Sequence, residues 1–304
     1  MIEPALHGLA HTCMDRADPL LRPGNTNCGG CGMSIVLNML SRGIGQRRVQ
    51  LVIPACCGIV TAGPFPCSAY GAPVVAATFA SAAAFATGMA RTARMNGDDT
   101  RVICFAGDGG TYDIGMATLS AAAERDEDLL YVCYDNEIYG NTGGQRSSAT
   151  PLGARTSTTP SGKTRQKKDI LAIMAAHRVP FAASVSLAHP EDALEKFKVA
   201  VGMSGFRFVH VLSPCPTGWK SEPAVGIDLV RLAVRSGLYP VCTVFDGHRM
   251  RIDIEPDFDA VALRDYFAAQ GRFRDDGIDL SRLAVDIRQN WDRLRRQIAV
   301  GGEE

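Results

Sequence analysis

The chain has 304 residues, 46% of them hydrophobic, and its 32 basic side chains balance 32 acidic ones. It can therefore bury one large core or two smaller ones, and no net charge draws it to nucleic acid or to a membrane surface. The longest run of small apolar residues, 72–93, contains Thr, Ser and Gly throughout and an arginine near its end, which predicts a packed helix rather than a membrane span. The first residues lack the basic and apolar regions of a signal peptide, so we expect a cytoplasmic location.

Apolar runs and turn residues predict alternating helices and strands along the chain. An N-terminal arm to about Pro23 precedes a helix at 33–43, a strand at 50–54, a long helix at 73–96, a strand at 102–106, a helix at 113–125 and a strand at 129–134. Beyond a long loop come helices at 169–177 and 190–202, a strand at 206–212, a helix from 227 to 237, strands near 241–254 and surface helices at 259–270 and 283–298. This alternation predicts an α/β fold with a mostly parallel sheet flanked by helices.

Two polar motifs each follow a predicted strand. Gly-Asp-Gly-Gly at 107–110 ends the first strand, and Asp-Asn-Glu-Ile at 135–138 ends the next, so that Asn136 comes 28 residues after Asp108. Open α/β sheets bind ligands at the carboxyl ends of their strands. Glycines let the backbone approach a phosphate, while Asp108, the Asn136 amide oxygen and a backbone carbonyl near Ile138 suit Mg²⁺. The pair predicts a diphosphate and magnesium site, whereas Gly-Asp-Gly alone also fits an ordinary strand-to-helix turn.

The ten cysteines need a reason, because a reducing cytosol argues against a disulfide framework. In Cys28-Gly-Gly-Cys31-Gly32, two thiolates separated by two small residues can reach one metal ion or one cluster. Taken alone, this Cys-x-x-Cys could be half of a zinc site, a redox pair or a coincidence. Three other cysteines lie inside apolar strand-like runs and are predicted core residues: Cys104, Cys133 and Cys242.

The stretch 141–169 is rich in Thr, Ser, Gly and basic residues and has no apolar periodicity. Long loops of this kind inside compact domains are usually functional or disordered. The stretch begins just after the second polar motif, 135–138, and the two polar motifs are together called the metal motif below. We therefore predict a loop that covers a cofactor and docks a subunit; the alternative is a solvated insertion. Its basic residues could meet anionic groups of coenzyme A or a partner, although a basic run more often forms a solvated surface: Lys163, Arg165, Lys167 and Lys168.

The paired motif resembles the thiamine diphosphate fingerprint, and the wider sequence resembles the β subunit of 2-oxoacid:ferredoxin oxidoreductases, particularly the pyruvate branch. The resemblance spans roughly residues 20–275. The segments that carry it are GTYDIG at 110–115, YDNE at 134–137, NTG at 141–143, TTPSGK at 158–163, QKKD at 166–169, IMAAH at 173–177, HPED at 189–192 and CPTGW at 215–219.

This resemblance implies a thiamine diphosphate-binding fold with an iron-sulfur cluster loop. It divides the chain into a cofactor-binding domain, 1–225, and a C-terminal extension, 226–304, that packs on partner subunits. Asp108, Asn136 and Ile138 would bind Mg²⁺, and Asn141 would act near the thiazolium or the substrate carboxylate. The implied cofactor-binding residues are Gly32, Gly107, Asp108, Gly109, Gly110, Asn136, Ile138, Asn141 and Thr142.

The same resemblance supplies the ligands of a 4Fe-4S cluster. Cys28 and Cys31 match its Cys-x-x-Cys-Gly, and Cys215 matches its last ligand. The fourth ligand falls in the segment PACCG at 54–58, which departs from the usual Gly-Cys. Counting back from the Phe-Pro pair at 65–66 and from the Val-Thr pair at 60–61 favours Cys57 as that ligand, with Cys56 as the alternative; if Cys57 is the ligand, Cys56 is a small residue against the cluster wall.

The implied activity is oxidative decarboxylation of a 2-oxoacid, most simply pyruvate, to an acyl-CoA and CO₂. Thiamine diphosphate would hold the electrons left when CO₂ departs, the cluster would pass them to ferredoxin or another acceptor, and coenzyme A would capture the acyl group. In this family the glutamate that activates thiamine and the arginine that binds substrate come from another chain or domain. We therefore expect an enzyme that is active only with partner subunits of the α, γ and δ types.

Two alternatives stay open at this point. The same chemistry could act on a branched-chain or aryl 2-oxoacid such as phenylglyoxylate, because the segment PACCGIV at 54–60 is unusual and close to the cofactor. A remoter alternative is a non-catalytic assembly subunit in which Cys28, Cys31, Cys57 and Cys215 bind zinc. The intact Asp108 and Asn136 argue against it, since a pure scaffold would not need them.

Overall fold

An eight-stranded sheet organises the residues that the computed structural model describes, which are 19–63, 68–273 and 278–301. Its strands are β1 Val49–Pro54, β2 Val74–Ala77, β3 Arg101–Gly107, β4 Leu130–Asp135, β5 Phe181–Ser186, β6 Arg207–Leu212, β7 Val241–Phe245 and β8 Arg249–Ile254. They lie in the order β2-β1-β3-β4-β6-β5-β7-β8. In that order, every neighbouring pair from β2 to β5 is parallel, whereas β5 with β7 and β7 with β8 are antiparallel pairs. The predicted α/β class with a mostly parallel sheet is confirmed.

Helices follow most of the strands, as expected for parallel crossovers. They are α1 Gly32–Ile44, α2 Cys57–Val60, α3 Ala82–Met95, α4 Met116–Glu124, α5 Ile170–Ala176, α6 Pro190–Gly202, α7 Pro216–Trp219, α8 Gly226–Arg235, α9 Ala260–Ala268 and α10 Leu280–Gly301. A π-helical turn, Gly109–Asp113, lies between β3 and α4. In the described part of the chain, no helix is long and apolar enough to cross a membrane.

Alternate side chains of the central strands pack on opposite faces of the sheet. On one face, Ile103 and Phe105 of β3 join a core that includes α1 and α6. On the other face, Val102 and Cys104 join a core that includes α3, α4 and α5. Both faces are covered, which explains why these strands read as continuous apolar runs. The predicted core cysteines Cys104, Cys133 and Cys242 are fully buried, which confirms that prediction.

The prediction of one long helix at 73–96 was wrong. Its first residues form β2, an edge strand that pairs with β1, and the helix α3 begins only at Ala82. The alanines favour helix locally, but Val74 and Val75 are β-branched and find a strand partner in β1. Strand β5 was not predicted, because its sequence FAASVS has small and polar residues where a buried strand usually has large ones. The helix predicted at 113–125 begins at Met116, because the π-helical turn occupies the residues before it.

Residues of the predicted C-terminal extension complete the sheet. Strand β7 pairs with β5, and β8 pairs with β7. Helices α8 and α9 pack around Trp219 and Tyr239 in a further core. The surface helices predicted at 259–270 and 283–298 correspond to α9 and α10. The domain division at 225 and the docking of this region on other subunits remain predictions.

Gly115 should not tolerate a side chain. The π-helical turn brings the Gly110 carbonyl oxygen to 1.8 Å from where a Cβ at position 115 would lie. We expect Gly115→Ala to lower the free energy of unfolding by about 2 kcal/mol or more, because the blocking atom belongs to the backbone. Gly88→Ala is the matched control, because its Cβ meets nothing within 4 Å in the middle of α3. It should raise stability by about 0.5–1 kcal/mol. Thermal unfolding of both variants measures this, and equal melting temperatures would contradict the steric explanation.

Candidate active site and cofactor-binding region

The two polar motifs meet at the carboxyl end of the sheet. Strands β3 and β4 are parallel neighbours with Gly107 opposite Tyr134, so Asp108 and Asn136 emerge side by side. One terminal atom of the Asn136 side-chain amide lies 3.0 Å from Asp108 Oδ1 and 2.8 Å from the Ile138 carbonyl oxygen. If this atom is the amide nitrogen, it donates to both oxygens. If it is the oxygen, three acceptor oxygens converge, and adjacent oxygens around an octahedral Mg²⁺ are about 3 Å apart. The amide orientation is an assignment, and the donor set fits a cation.

Asp108 is a buried carboxylate. Its Oδ2 accepts a hydrogen bond from the Ser147 hydroxyl. Burial, with the Asp135 carboxylate nearby, raises the pKa of Asp108 well above its usual range. Placing a negative charge in such surroundings is costly unless a positive partner is present. A bound cation is a partner of that kind.

The glycine motif packs closely at the start of the π-helical turn. Gly107, Gly109 and Gly110 are all buried at the end of β3. A Cβ on Gly109 would lie 2.2 Å from Tyr139 Cε1, so this glycine is required by protein packing. Tyr139 in turn donates a hydrogen bond of 2.8 Å to Asp113 Oδ2 within the same turn. The motif loop and the segment after β4 are therefore packed against each other.

The four predicted cluster cysteines are brought together from three parts of the chain. The Gly32 N–H donates to the Pro214 carbonyl at 2.9 Å, which places Cys31 beside the segment of Cys215. Burial raises the pKa of Cys57 to about 12, opposed by a hydrogen bond from Asn141, and the nearby thiols of Cys56, Cys215 and Cys31 add to the rise. Cys31 in turn lies near Cys28. Among the residues that the structure describes, no three His, Cys, Asp or Glu side chains are close enough to hold one metal ion.

Cys56 and Cys57 face different surroundings. Cys56 precedes α2 in an extended conformation, and Cys57 begins the helix. The Cys56 thiol lies against the Tyr134 hydroxyl and backbone groups of Gly58, Ile59 and Gly107, and burial raises its pKa. Cys57 instead faces the other predicted ligands. The Phe-Pro pair at 65–66 used to align this segment lies outside the described residues.

Asn141 contacts the cysteine group. Its side-chain N–H donates to Cys57 Sγ at 3.2 Å. The Cys215 thiol similarly accepts from the Gly218 N–H at 3.3 Å. Thr142 is exposed and its hydroxyl donates to Gln145 Oε1. Asn141 thus lies between the metal motif, which ends only three residues before it, and the cysteine group.

Two lysines of the 141–169 loop, Lys163 and Lys167, bind groups inside the protein. Lys163 is buried, and its ammonium donates to the carbonyl oxygens of Ser148 at 3.0 Å and Thr150 at 2.5 Å. Burial lowers the pKa of Lys163 to about 8. Lys167 and Lys168 also pair with other groups of the chain, as described below. Arg165 is exposed, which agrees with the interpretation as a solvated surface. The solvated-surface interpretation was therefore wrong for the buried Lys163 and does not describe Lys167, which pairs with buried carboxylates, whereas Lys168 is exposed.

Comparison with known proteins agrees with this site. Residues 61–211 match the model of the thiamine pyrophosphate enzyme C-terminal TPP-binding domain. Pyruvate synthase subunit PorB of Methanothermobacter thermautotrophicus is 40% identical over 84% of this chain and 90% of its own length. Ketoisovalerate oxidoreductase subunit VorB of Pyrococcus furiosus is 38% identical over 92% of this chain and 93% of its own length. The chain is a β subunit of the 2-oxoacid:ferredoxin oxidoreductase family.

A solved structure shares the fold of this β subunit. A chain of the 2-oxoglutarate:ferredoxin oxidoreductase from Magnetococcus marinus, determined with 2-oxoglutarate, coenzyme A and succinyl-CoA bound, superposes with a TM-score of 0.59. The match is 22% identical and covers 86% of this chain and 91% of the other. At that identity it supports the fold. The predicted resemblance, enzyme class and thiamine diphosphate-binding domain are confirmed.

Sequence reasoning missed a buried ionic network beneath the metal motif of this β subunit. Asp135 is fully buried, with its Oδ2 2.9 Å from both the Tyr112 hydroxyl and His210 Nε2, and 3.4 Å from Lys167 Nζ. Burial alone would raise the pKa of Asp135, but the charge of Lys167 and the hydrogen bonds from His210 and Tyr112 hold it below its usual range. A histidine among the apolar residues FVHVL at 208–212 of β6 was the available signal.

Lys168 ties the loop to the π-helical turn. Its ammonium donates to the Tyr112 carbonyl and lies 3.8 Å from Asp113 Oδ1. The Ser148 N–H donates to Asp113 Oδ2 at 3.0 Å, and the Ser148 hydroxyl donates to Oδ1. The 141–169 loop is therefore anchored to the metal motif by specific polar contacts, as a cofactor-covering loop requires.

Proposed function

We propose that this β subunit holds thiamine diphosphate, Mg²⁺ and a 4Fe-4S cluster, and that its complex oxidatively decarboxylates pyruvate to an acyl-CoA and CO₂. The observation that carries the proposal is the meeting of Asp108 Oδ1, the Asn136 side-chain amide and the Ile138 carbonyl, with Asn141 linking this segment to Cys57 and its neighbouring thiols. An ion, a diphosphate and a cluster would thus share one edge of the sheet.

Asp108, Asn136 and the Ile138 carbonyl would hold the Mg²⁺ that binds the diphosphate. When bound, thiamine diphosphate would supply a nucleophilic carbon for the keto carbon of the substrate and would accept the electron pair that stays behind when CO₂ leaves. Gly107 and Gly110 would let the backbone approach the diphosphate, because they carry no side chain. Ser147 orients Asp108 through its hydrogen bond, which directs the other carboxylate oxygen, Oδ1, toward Asn136.

Cys28, Cys31, Cys57 and Cys215 would hold the cluster. Hydrogen bonds to the cysteine sulfurs help set the reduction potential of an iron-sulfur cluster. The Gly218 N–H provides one such bond to Cys215, and the Asn141 amide provides another to Cys57. Asn141 would thereby connect the segment that holds thiamine diphosphate to a cysteine that holds the cluster.

The remaining components would come from outside this chain. The relatives are named as subunits, and we infer that partner subunits of the α, γ and δ types complete this enzyme in the cytoplasm. Ferredoxin or another acceptor would take the electrons, and coenzyme A would take the acyl group.

A branched-chain 2-oxoacid is the second candidate substrate. The ketoisovalerate oxidoreductase relative covers 92% of this chain, compared with 84% for the pyruvate synthase relative, at nearly the same identity. The aryl alternative, phenylglyoxylate, has no comparable support. Zinc bound by the four cysteines in place of iron would make the chain an assembly subunit.

Metal analysis and spectroscopy test the proposal. The chain is purified anaerobically with its co-purifying partners, and iron, sulfide and zinc are determined. We then expect pyruvate with coenzyme A to produce a reduced-cluster signal in electron paramagnetic resonance. A signal with 2-ketoisovalerate but not with pyruvate would replace pyruvate by the second candidate. Zinc without iron at this subunit, together with no response to any 2-oxoacid, would refute the redox function.

A further inference from the structure

We infer that Arg272 and Glu137 are positioning residues, which together hold the cation-binding loop in the shape that brings its oxygens together. The inference rests on the proposed magnesium site and adds residues to it from the C-terminal extension. Arg272 lies 135 residues from Glu137 in sequence, and 61 residues beyond the matched thiamine pyrophosphate domain.

The backbone at Glu137 takes an unfavourable conformation. Glu137 separates Asn136 from Ile138 and has φ of 64°, in the left-handed region that side chains other than glycine rarely occupy. Its N–H donates to Asp135 Oδ1 at 2.9 Å, and its carbonyl accepts from the Thr150 hydroxyl at 2.7 Å. This reversal allows the side chain of Asn136 and the carbonyl of Ile138 to lie 2.8 Å apart. Strain of this kind persists only where the surroundings impose it.

The side chain of Glu137 is clamped from two sides. It is 4% exposed, with Oε2 2.7 Å from Arg272 and Oε1 3.0 Å from Lys167 Nζ. Arg272 is itself 2% exposed, and its guanidinium lies over the rings of Trp219 at 4.5 Å and Phe273 at 5.0 Å. Both partners of the pair are therefore fixed before any ligand binds.

The same arginine also steadies the other side of the loop through Trp219. The indole N–H of Trp219 donates to the Asn136 carbonyl at 3.0 Å, and the guanidinium of Arg272 stacks on the indole ring. Asn136 and Glu137 are thus both held by one stacked unit. Replacing residues that hold metal ligands in this way typically lowers the affinity for the metal about 10–100-fold.

The charges near the loop are arranged to leave one negative group for the cation. The carboxylates of Asp135 and Glu137 are balanced by Lys167 and Arg272. Asp108 bonds to the Ser147 hydroxyl and is the carboxylate that faces Asn136 and Ile138. Removing Arg272 would both release Glu137 and leave it a buried charge with a single cationic partner.

Replacing Arg272 should weaken the response to Mg²⁺. We expect Arg272→Met, in the assembled complex freed of cofactors, to raise the Mg²⁺ concentration needed for half-maximal thiamine diphosphate binding about 10–100-fold. Arg272→Lys should recover part of this loss, because it restores the charge but not the stacked planar group. Glu137→Gln should shift the same concentration in the same direction. Isothermal titration of thiamine diphosphate at a series of Mg²⁺ concentrations measures all three variants.

The matched control is Arg295→Met. Arg295 pairs with Glu255 at 2.7 Å and lies over Phe258 and Trp291, so it makes the same kinds of contact as Arg272, but at a half-exposed position away from the loop. It should lower the melting temperature of the cofactor-free complex without changing the Mg²⁺ response. If Arg272→Met and Glu137→Gln keep the wild-type Mg²⁺ response while Asp108→Ala loses it, the positioning role is wrong and the magnesium site stands. If Asp108→Ala also keeps it, the proposed function has lost its metal site.

Discussion

Replacing Asp108 by alanine should abolish Mg²⁺-dependent binding of thiamine diphosphate and leave the visible absorbance of the cluster unchanged. Asp108 contributes the carboxylate of the proposed site, since its other members are the neutral side-chain amide of Asn136 and the backbone carbonyl of Ile138. Without it the protein would offer the cation only neutral groups, and Mg²⁺ gives up its water reluctantly. We expect affinity for thiamine diphosphate to fall by more than about 100-fold, beyond the loss typical of residues that only orient a ligand.

The experiment separates the two cofactors of one chain. Calorimetric titration of thiamine diphosphate, with and without Mg²⁺, is combined with the absorbance spectrum of the same sample. Asp228→Ala serves as the control, because Asp228 is a carboxylate on α8 that pairs with Arg231 at the surface. Undiminished thiamine diphosphate affinity in Asp108→Ala would remove the metal assignment. Loss of cluster absorbance together with thiamine binding would instead indicate general unfolding.

The parts of the fold that were predicted from sequence depend on local patterns. Strands β3, β4 and β6 are continuous apolar runs, because both of their faces are covered by helices. The metal motif could be found because glycines and an acid directly follow a strand. In contrast, β2 and β5 depend on neighbouring strands for their identity, so composition alone assigned β2 to a helix and overlooked β5.

The ionic network under the site could not be predicted in the same way. Glu137 pairs with Lys167 and Arg272, which lie 30 and 135 residues away in sequence. No local periodicity connects such residues, because the contacts exist only after the sheet and the C-terminal extension have packed. The lysines of the 141–169 loop were read as a surface run for the same reason. Charged residues inside the fold are informative mainly when their partners are known.

The adjacent thiols Cys56 and Cys57 should differ sharply when replaced. Cys57→Ser should lose the iron that this subunit contributes, about four atoms per chain for a 4Fe-4S cluster, whereas Cys56→Ser should keep it. The backbone explains the difference. Cys56 is extended, with φ of −155° and ψ of −178°, and the helix α2 starts at Cys57. The two side chains therefore diverge, and Cys57 turns toward Asn141 and the thiols of Cys31 and Cys215.

Iron and sulfide are counted for each variant against the wild-type complex, so that clusters on partner subunits cancel. The Cys56 thiol contacts the Tyr134 hydroxyl, and the same hydroxyl accepts a hydrogen bond from the Gly58 N–H of α2 at 3.2 Å. Cys56→Ser should therefore lower the melting temperature, through α2, while the iron content stays at the wild-type level. Iron loss in Cys56→Ser with retention in Cys57→Ser would reverse the ligand assignment. Retention in both variants would mean that the cluster does not depend on this segment, and the four-cysteine site would have to be abandoned.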